Sequence, residues 1–221
     1  MLYFMRKHAK FFYVFFFLII ISFVFFYVGP IDQNQNPVLV EIGDSKIYLD
    51  EYWRAYDNLR NIYRDVYKDQ FTPELEEKLD LKGKALEQLI EQRLLLMKAA
   101  ELGIYASDNE LREAIINDPV FHRNGVFSRD VYLRILQLNR ISPTYYEEAK
   151  RGELVLKKIR TLLEDSVDLT PIDIQIFKGS AELLKAIKDS LLADKQDKLI
   201  RSFVESLKKE YHVKVYSQYL S

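Results

Sequence analysis

The 221-residue chain contains no cysteine, which excludes a disulfide framework, a thiolate nucleophile and any cysteine zinc site. Histidine is almost as scarce. His8, His122 and His212 are scattered without metal-ligand spacing, so each reads as structural or solvent-exposed, and a zinc site has no candidate ligand set. With only seven glycines, the chain offers no GxSxG, no phosphate-binding glycine loop and no GxGxxG. Carboxylates are plentiful, but neighbours such as Glu76 and Glu77, or Glu147 and Glu148, read as solvated helix faces rather than an acid/base pair. The sequence therefore predicts a protein that is not an enzyme and that carries no cofactor and no metal.

Charge is missing from one stretch. Residues 11–28 (FFYVFFFLIIISFVFFYV) hold no charged side chain, and Ser22 is the only small polar one. Eighteen residues of helix rise about 27 Å, close to the thickness of the hydrocarbon core. Arg6, Lys7 and Lys10 precede the run and the first charge after it is Asp32. The positive-inside rule then keeps residues 1–10 in the cytoplasm and sends everything after the span to the other side. The competing reading is a cleaved signal peptide, which wants small residues in an A-x-A-like pattern after the apolar stretch. The exit Phe26-Tyr27-Val28-Gly29-Pro30 is bulky and ends in proline, so the expectation is a retained anchor at 11–28 and a polar tether at 29–37.

Neither sign of charge dominates. The net charge is −1; setting aside the three basic residues before the run leaves 29 of the 32 Lys and Arg against 33 Asp and Glu, a net −4. The two signs interleave, as on solvated helices, and leave no nucleic-acid footprint.

Past the tether the pattern is mainly α. Residues 38–42 and 47–48 are short β-like runs around the turn signal Gly43-Asp44-Ser45. Tyr52, Tyr56, Leu59, Tyr63 and Val66 repeat at four, three, four and three, predicting a helix over 50–68. A second helix is expected over 73–102, stopped by Gly103. Ser107-Asp108-Asn109-Glu110 is a capping box. Ser128 starts a helix to about Leu138, and Ser142-Pro143 and Thr170-Pro171 each offer an N-cap followed by proline at the first helical position. Ala149, Gly152, Leu156, Ile159 and Leu163 carry a helix from Tyr145 to about Asp165, and two more are expected over 181–193 and 197–209. Residues 211–216 alternate like a strand. Paired with the first two strands, they would make a small three-stranded sheet, because an isolated hairpin is marginal and an unpaired apolar strand is an aggregation edge.

Aromatic residues are in surplus, with fifteen tyrosines and fourteen phenylalanines. Tyr52, Tyr56, Tyr63, Tyr67 and Phe71 lie on the first helix and its exit; Phe121, Phe127, Tyr132, Tyr145 and Tyr146 follow later. Trp53 is expected in the core. The bland reading packs these rings between helices. The functional reading lets some of them line an open groove, where tyrosine offers a rigid apolar contact and a hydroxyl that stays wet, suiting varied apolar peptides.

At this point a family resemblance is visible. Ala85-Leu86-Glu87-Gln88-Leu89-Ile90-Glu91-Gln92-Arg93-Leu94-Leu95, then Ala99, then Gly103 through Leu111 (GIYASDNEL) resembles the N-terminal chaperone module of the SurA and PpiD families. So do Asn124-Gly125-Val126-Phe127 with Tyr132, and Ser142 through Glu147 leading into Arg151-Gly152-Glu153-Leu154. The anchored N-terminus and the strand-turn-strand look like PpiD. The resemblance covers roughly residues 1–167 and makes 38–167 the chaperone module. It implies a periplasmic folding helper on the bacterial inner membrane, with unfolded polypeptides as partners and a place of work near the secretion channel. The chain departs from the pattern after Val167. The 54 residues that follow hold one glycine, Gly179, and one histidine, His212, whereas a parvulin prolyl isomerase domain needs about a hundred residues, a glycine-rich segment and a histidine pair. The expectation is a chain without that domain, with a short linker and helix at 168–196 in its place and a return helix and strand at 197–221. Two functions compete: a membrane-anchored holdase that shields unfolded envelope or secreted polypeptides, and an assembly subunit docking one dedicated complex. An enzyme of unrecognised type is the remaining alternative.

Overall fold

Gly43, at φ +54°, closes a two-residue turn between β1 (Val38–Ile42) and β2 (Ser45–Tyr48). A computed structural model describes residues 36–169 and 181–220. The predicted anchor at 11–28, the cytoplasmic segment before it, most of the tether and the Thr170-Pro171 cap lie outside the described residues. No helix among the described residues is long and apolar enough to cross a membrane.

β1 and β2 pair antiparallel, with Val40 opposite Ile47 and Val38 opposite Tyr48. The register slips between Val38 and Val40. Such an irregularity lets the neighbours Leu39 and Val40 both be buried, which strict alternation forbids. The third strand, β5 (Lys214–Val215), lies on the other side of β1, giving the order β2-β1-β5. The expected three-stranded sheet is present, though its last strand is two residues long rather than six.

Seven helices are described. α1 (Leu49–Tyr67) follows β2 directly, with the Glu51 carboxylate accepting from the Tyr48 amide at 3.3 Å. The expected helix over 73–102 is instead two, α2 (Pro73–Lys78) and α3 (Leu81–Glu101). Asp80 makes the break. It sits at φ +47° and its carboxylate accepts from the Gly83 amide at 3.1 Å, the N-cap role that short acidic side chains fill best. A Cβ on Gly83 would meet that carboxylate at 2.2 Å, so the glycine makes room for the cap.

Gly103 ends α3 as expected, through a Schellman pair: its amide donates to Ala100 O at 3.1 Å and that of Ile104 to Ala99 O at 2.8 Å. Ser107, Ser128 and Ser142 cap α4 (Asp108–Ile116), α5 (Arg129–Leu138) and α6 (Pro143–Asp165). α7 (Ala181–Glu210) runs unbroken where two helices were expected. Nothing between residues 193 and 197 is glycine or proline, and Lys198 pairs with Asp194 one turn away at 2.6 Å. Extending a formed helix then costs less than nucleating a second.

One core lies between sheet and helices. It joins Leu39, Val40, Ile42 and Ile47 to Tyr52 of α1, Ile90, Leu94 and Leu95 of α3, Ile159 of α6, and Ile200, Val204 and Leu207 of α7. Arg93 fastens it polarly, donating to Ser45 Oγ at 2.9 Å, Lys46 O at 3.0 Å and Glu51 Oε2 at 2.8 Å. A second, smaller cluster gathers Leu111, Ile115, Phe121, Tyr132 and Leu136 under the hairpin β3 (His122–Arg123) and β4 (Val126–Phe127).

Candidate peptide-binding surfaces

The ten aromatic residues singled out in the sequence fall into two places. Along α1, Tyr52 is fully buried, with its ring 5.0 Å from Trp53 and 6.5 Å from Tyr56. Trp53, expected in the core, is 38% exposed: it sits one residue round from Tyr52, about 100° off the packed face. Half-buried Tyr56 donates its hydroxyl to Glu76, which also accepts from Arg60 at 3.0 Å, so α1 and α2 are tied together. Burial first, then Glu76, pushes the Tyr56 phenol up to about 12, so it stays a neutral donor. The hydrogen bond from Tyr56, aided by Arg60, holds the Glu76 carboxyl below its usual range. Farther along, Tyr63 and Tyr67 stack with ring centroids 6.0 Å apart, and Lys84 lies 5.6 Å over Tyr63. Phe71 is half-buried beyond them.

The second place is the small cluster. Phe121, Tyr132 and Tyr146 meet edge to face at 5.0, 5.5 and 5.8 Å, the arrangement their ring quadrupoles favour. Phe127 lies tilted 6.3 Å from Tyr132. The Tyr132 hydroxyl donates to Glu147 at 3.3 Å, and burial, then that carboxylate, pushes it up to about 12. Tyr145 points outward and is exposed.

Tyr52, Phe121 and Tyr132 are thus core residues in this structure. They support a surface and do not present one. What these two places present is largely aliphatic. Ile62 and Val66 of α1 are 59% and 70% exposed. Around the small cluster Val120, Val126, Leu133 and Leu138 lie open beside Tyr145. The sequence reading places Val66 in the apolar stripe but singles out none of these aliphatic residues as an exposed surface. Val66, the last residue of the tyrosine stripe, and Ile62, four residues before it, carried the signal for the first surface. Asn124-Gly125, at φ +55° and +81°, carried it for the second, since that dipeptide marks a tight hairpin whose strands project alternate side chains.

A depression of about 390 Å³ lies between the end of α3 and α6, lined by Gly103, Ile104, Tyr105, Ser107, Glu110 and Lys158. Its charges are engaged with each other: Lys158 Nζ lies 2.6 Å from Glu110 and donates to Tyr105 O at 2.9 Å. Lys158, then the Ser107 amide and hydroxyl, hold the Glu110 carboxyl down at about 2. That carboxyl is not poised to exchange a proton near neutral pH. Among the described residues no group of three metal-ligating side chains gathers.

A family model described as SurA-like N-terminal domain matches residues 1–160. Among curated proteins, the periplasmic chaperone PpiD of Haemophilus influenzae is 35% identical over 95 residues, covering 43% of this chain and 15% of its own length. PpiD of Escherichia coli K12 is 26% identical over 146 residues, covering 64% of this chain and 23% of its own. PpiD of Haemophilus ducreyi is 22% identical over 172 residues, 76% of this chain and 27% of its own. The chain spans about a quarter or less of the length of these relatives, and no parvulin domain is evident in its 221 residues.

Proposed function

Because the chain belongs to the SurA-like N-terminal domain family, we propose that it is a membrane-anchored periplasmic holdase, which shields unfolded secreted or envelope polypeptides and does not isomerise prolyl bonds. The observation that carries the reading is on α1. Tyr52 and Val66 are fourteen residues apart, within about 40° of one face, yet Tyr52 is fully buried and Val66 is 70% exposed. The apolar stripe outruns the body that covers its first half. Its free end, with Ile62 and the stacked Tyr63 and Tyr67, is a rigid apolar strip held on a packed helix.

Such a strip suits reversible capture. Each aliphatic side chain it covers contributes about 1–2 kcal/mol, enough for short-lived contacts and too little to trap a client. Release then needs no nucleotide. The similarity to proteins named periplasmic chaperone supports the compartment and the class of activity. Arg6, Lys7 and Lys10 ahead of the uncharged run support an N-in, C-out anchor in the inner membrane, which also places the domain within reach of polypeptides leaving the secretion channel.

A photoreactive residue at Val66, irradiated in cells, tests the reading. Capture of many unfolded envelope and secreted proteins, absent when the probe sits at exposed Arg201, is the expected result. One stoichiometric partner would replace the holdase by an assembly subunit.

A further inference from the structure

We infer that the end of the sheet at which the chain enters the domain docks on the lipid interface of the bilayer, through Tyr48, Trp53 and Tyr219. The inference rests on the reading of residues 11–28 as a membrane span.

The three rings are brought to one end of the fold by different elements. Val38 opens β1 and pairs with Tyr48, the last residue of β2. The Tyr216 amide donates to Leu39 O at 2.9 Å, so the 3₁₀ turn Ser217–Tyr219 that follows lies past the same end of the sheet. Trp53 is the fifth residue of α1, which begins at the residue after Tyr48, so it sits only about 6 Å along the helix axis. Tyr48, Trp53 and Tyr219 are 38%, 38% and 39% exposed. Their packing inward is partial, and each has an apolar body with a polar tip, the side-chain type enriched at the boundary between hydrocarbon and headgroups. Three of the carboxylates nearby are engaged, Asp50 with Arg54, Glu51 with Arg93, and Glu41 with the Tyr216 hydroxyl at 2.8 Å, while Asp57, one turn past Trp53, is exposed near Arg60. Among the described residues no block of like charge opposes a bilayer there.

Chain length supplies the occupant. Nine residues, 29–37, separate the uncharged run from Val38, and fully extended they span about 32 Å at most. The Val38 end is therefore confined near the bilayer whatever path the tether takes. At the effective concentration such a tether imposes, a weak interfacial affinity suffices for steady contact. Docking this end has a consequence for clients. Val66 lies thirteen residues beyond Trp53, about 20 Å farther along α1, so the apolar strip is separate from the docked rings.

Trp53 is the sole tryptophan of the chain and serves as its own reporter without substitution. The full chain is reconstituted in phosphatidylethanolamine–phosphatidylglycerol vesicles, floated on a gradient, and compared with vesicles whose lipids carry bromine high on the acyl chains. The expected result is a chain that floats and a Trp53 emission that is lost to the brominated lipid and protected from aqueous iodide. Replacing Tyr48 and Tyr219 by serine should restore much of the emission while the chain still floats. A floating chain whose Trp53 ignores the brominated lipid and is open to iodide overturns the docking and leaves the anchor standing. A chain that does not float overturns both. Emission that responds only to a bromine-labelled unfolded polypeptide would assign Trp53 to client capture and likewise overturn the docking.

Discussion

Val40 and Val215 stand opposite each other as antiparallel partners, although one opens the folded domain and the other nearly ends it. The next rung joins Glu41 to Lys214, and the Tyr216 hydroxyl reaches back to Glu41 at 2.8 Å. The helix leading into β5 adds Ile200, Val204 and Leu207 to the main core. Burial of three such side chains stabilises by about 1.5–3 kcal/mol each, which together rivals a typical net stability of about 5–15 kcal/mol. Removing residues 197–221 should therefore unfold the whole domain. A truncated chain that kept its helical circular dichroism and its melting temperature would refute this. The milder Leu207→Ala should cost about 2–5 kcal/mol in urea unfolding.

Tyr52 presents the opposite case. Its hydroxyl is buried without a hydrogen-bond partner, and burial, then the charge of Asp80, raises its pKa. An unpaired buried hydroxyl costs about 1–3 kcal/mol. Tyr52→Phe keeps the ring and its contacts with Trp53 and Tyr56, so the midpoint of urea unfolding should rise by the equivalent of about 1 kcal/mol. A fall would mean the hydroxyl has a partner.

Acid should loosen the contact between α4 and α6 through Glu110. Its folded pKa of about 2 lies below the ordinary 4.5. A depressed carboxyl contributes stability that is fully present above the unfolded value and is lost as pH falls through the folded one. The difference in melting temperature between wild type and Glu110→Gln should thus be constant above about pH 5 and shrink toward about pH 2. A difference that stays constant across that window would remove Glu110 from the acid response.

Ile62 and Val66 can be altered without touching the core. The double change to serine should leave stability within about 0.5 kcal/mol, as for most exposed sites. Binding of an unfolded outer-membrane polypeptide should weaken by about 2–4 kcal/mol, roughly thirtyfold or more, and aggregation should be suppressed less well. Unchanged binding in a folded variant would move capture to the surface around Val126 and Leu138.

Much of the fold was legible because its signals are local. Ser107, Ser128 and Ser142 each accept from the amide three residues on, a bond that depends on nothing farther than one helical turn. Gly103 takes a positive φ at the end of α3 for an equally local reason. The break at Asp80 has a local signal too, an aspartate three residues before Gly83, yet a single helix over 73–102 runs across it in the sequence reading.

The sequence by itself determined the helical period, most of the caps, the short strands at both ends and the uncharged run, since each is written in residues close enough to interact along the chain. Only the tertiary structure decided which apolar residues are covered. Tyr52 and Val66 belong to one stripe by every local measure, yet α3 and the sheet reach the first and stop short of the second. Phe121 and Tyr132, read as groove-lining rings, close on Tyr146 because α5, α6 and the hairpin converge there. Burial depends on what stands opposite a side chain. That is set by contacts between segments far apart in sequence, which no periodicity within one helix can encode.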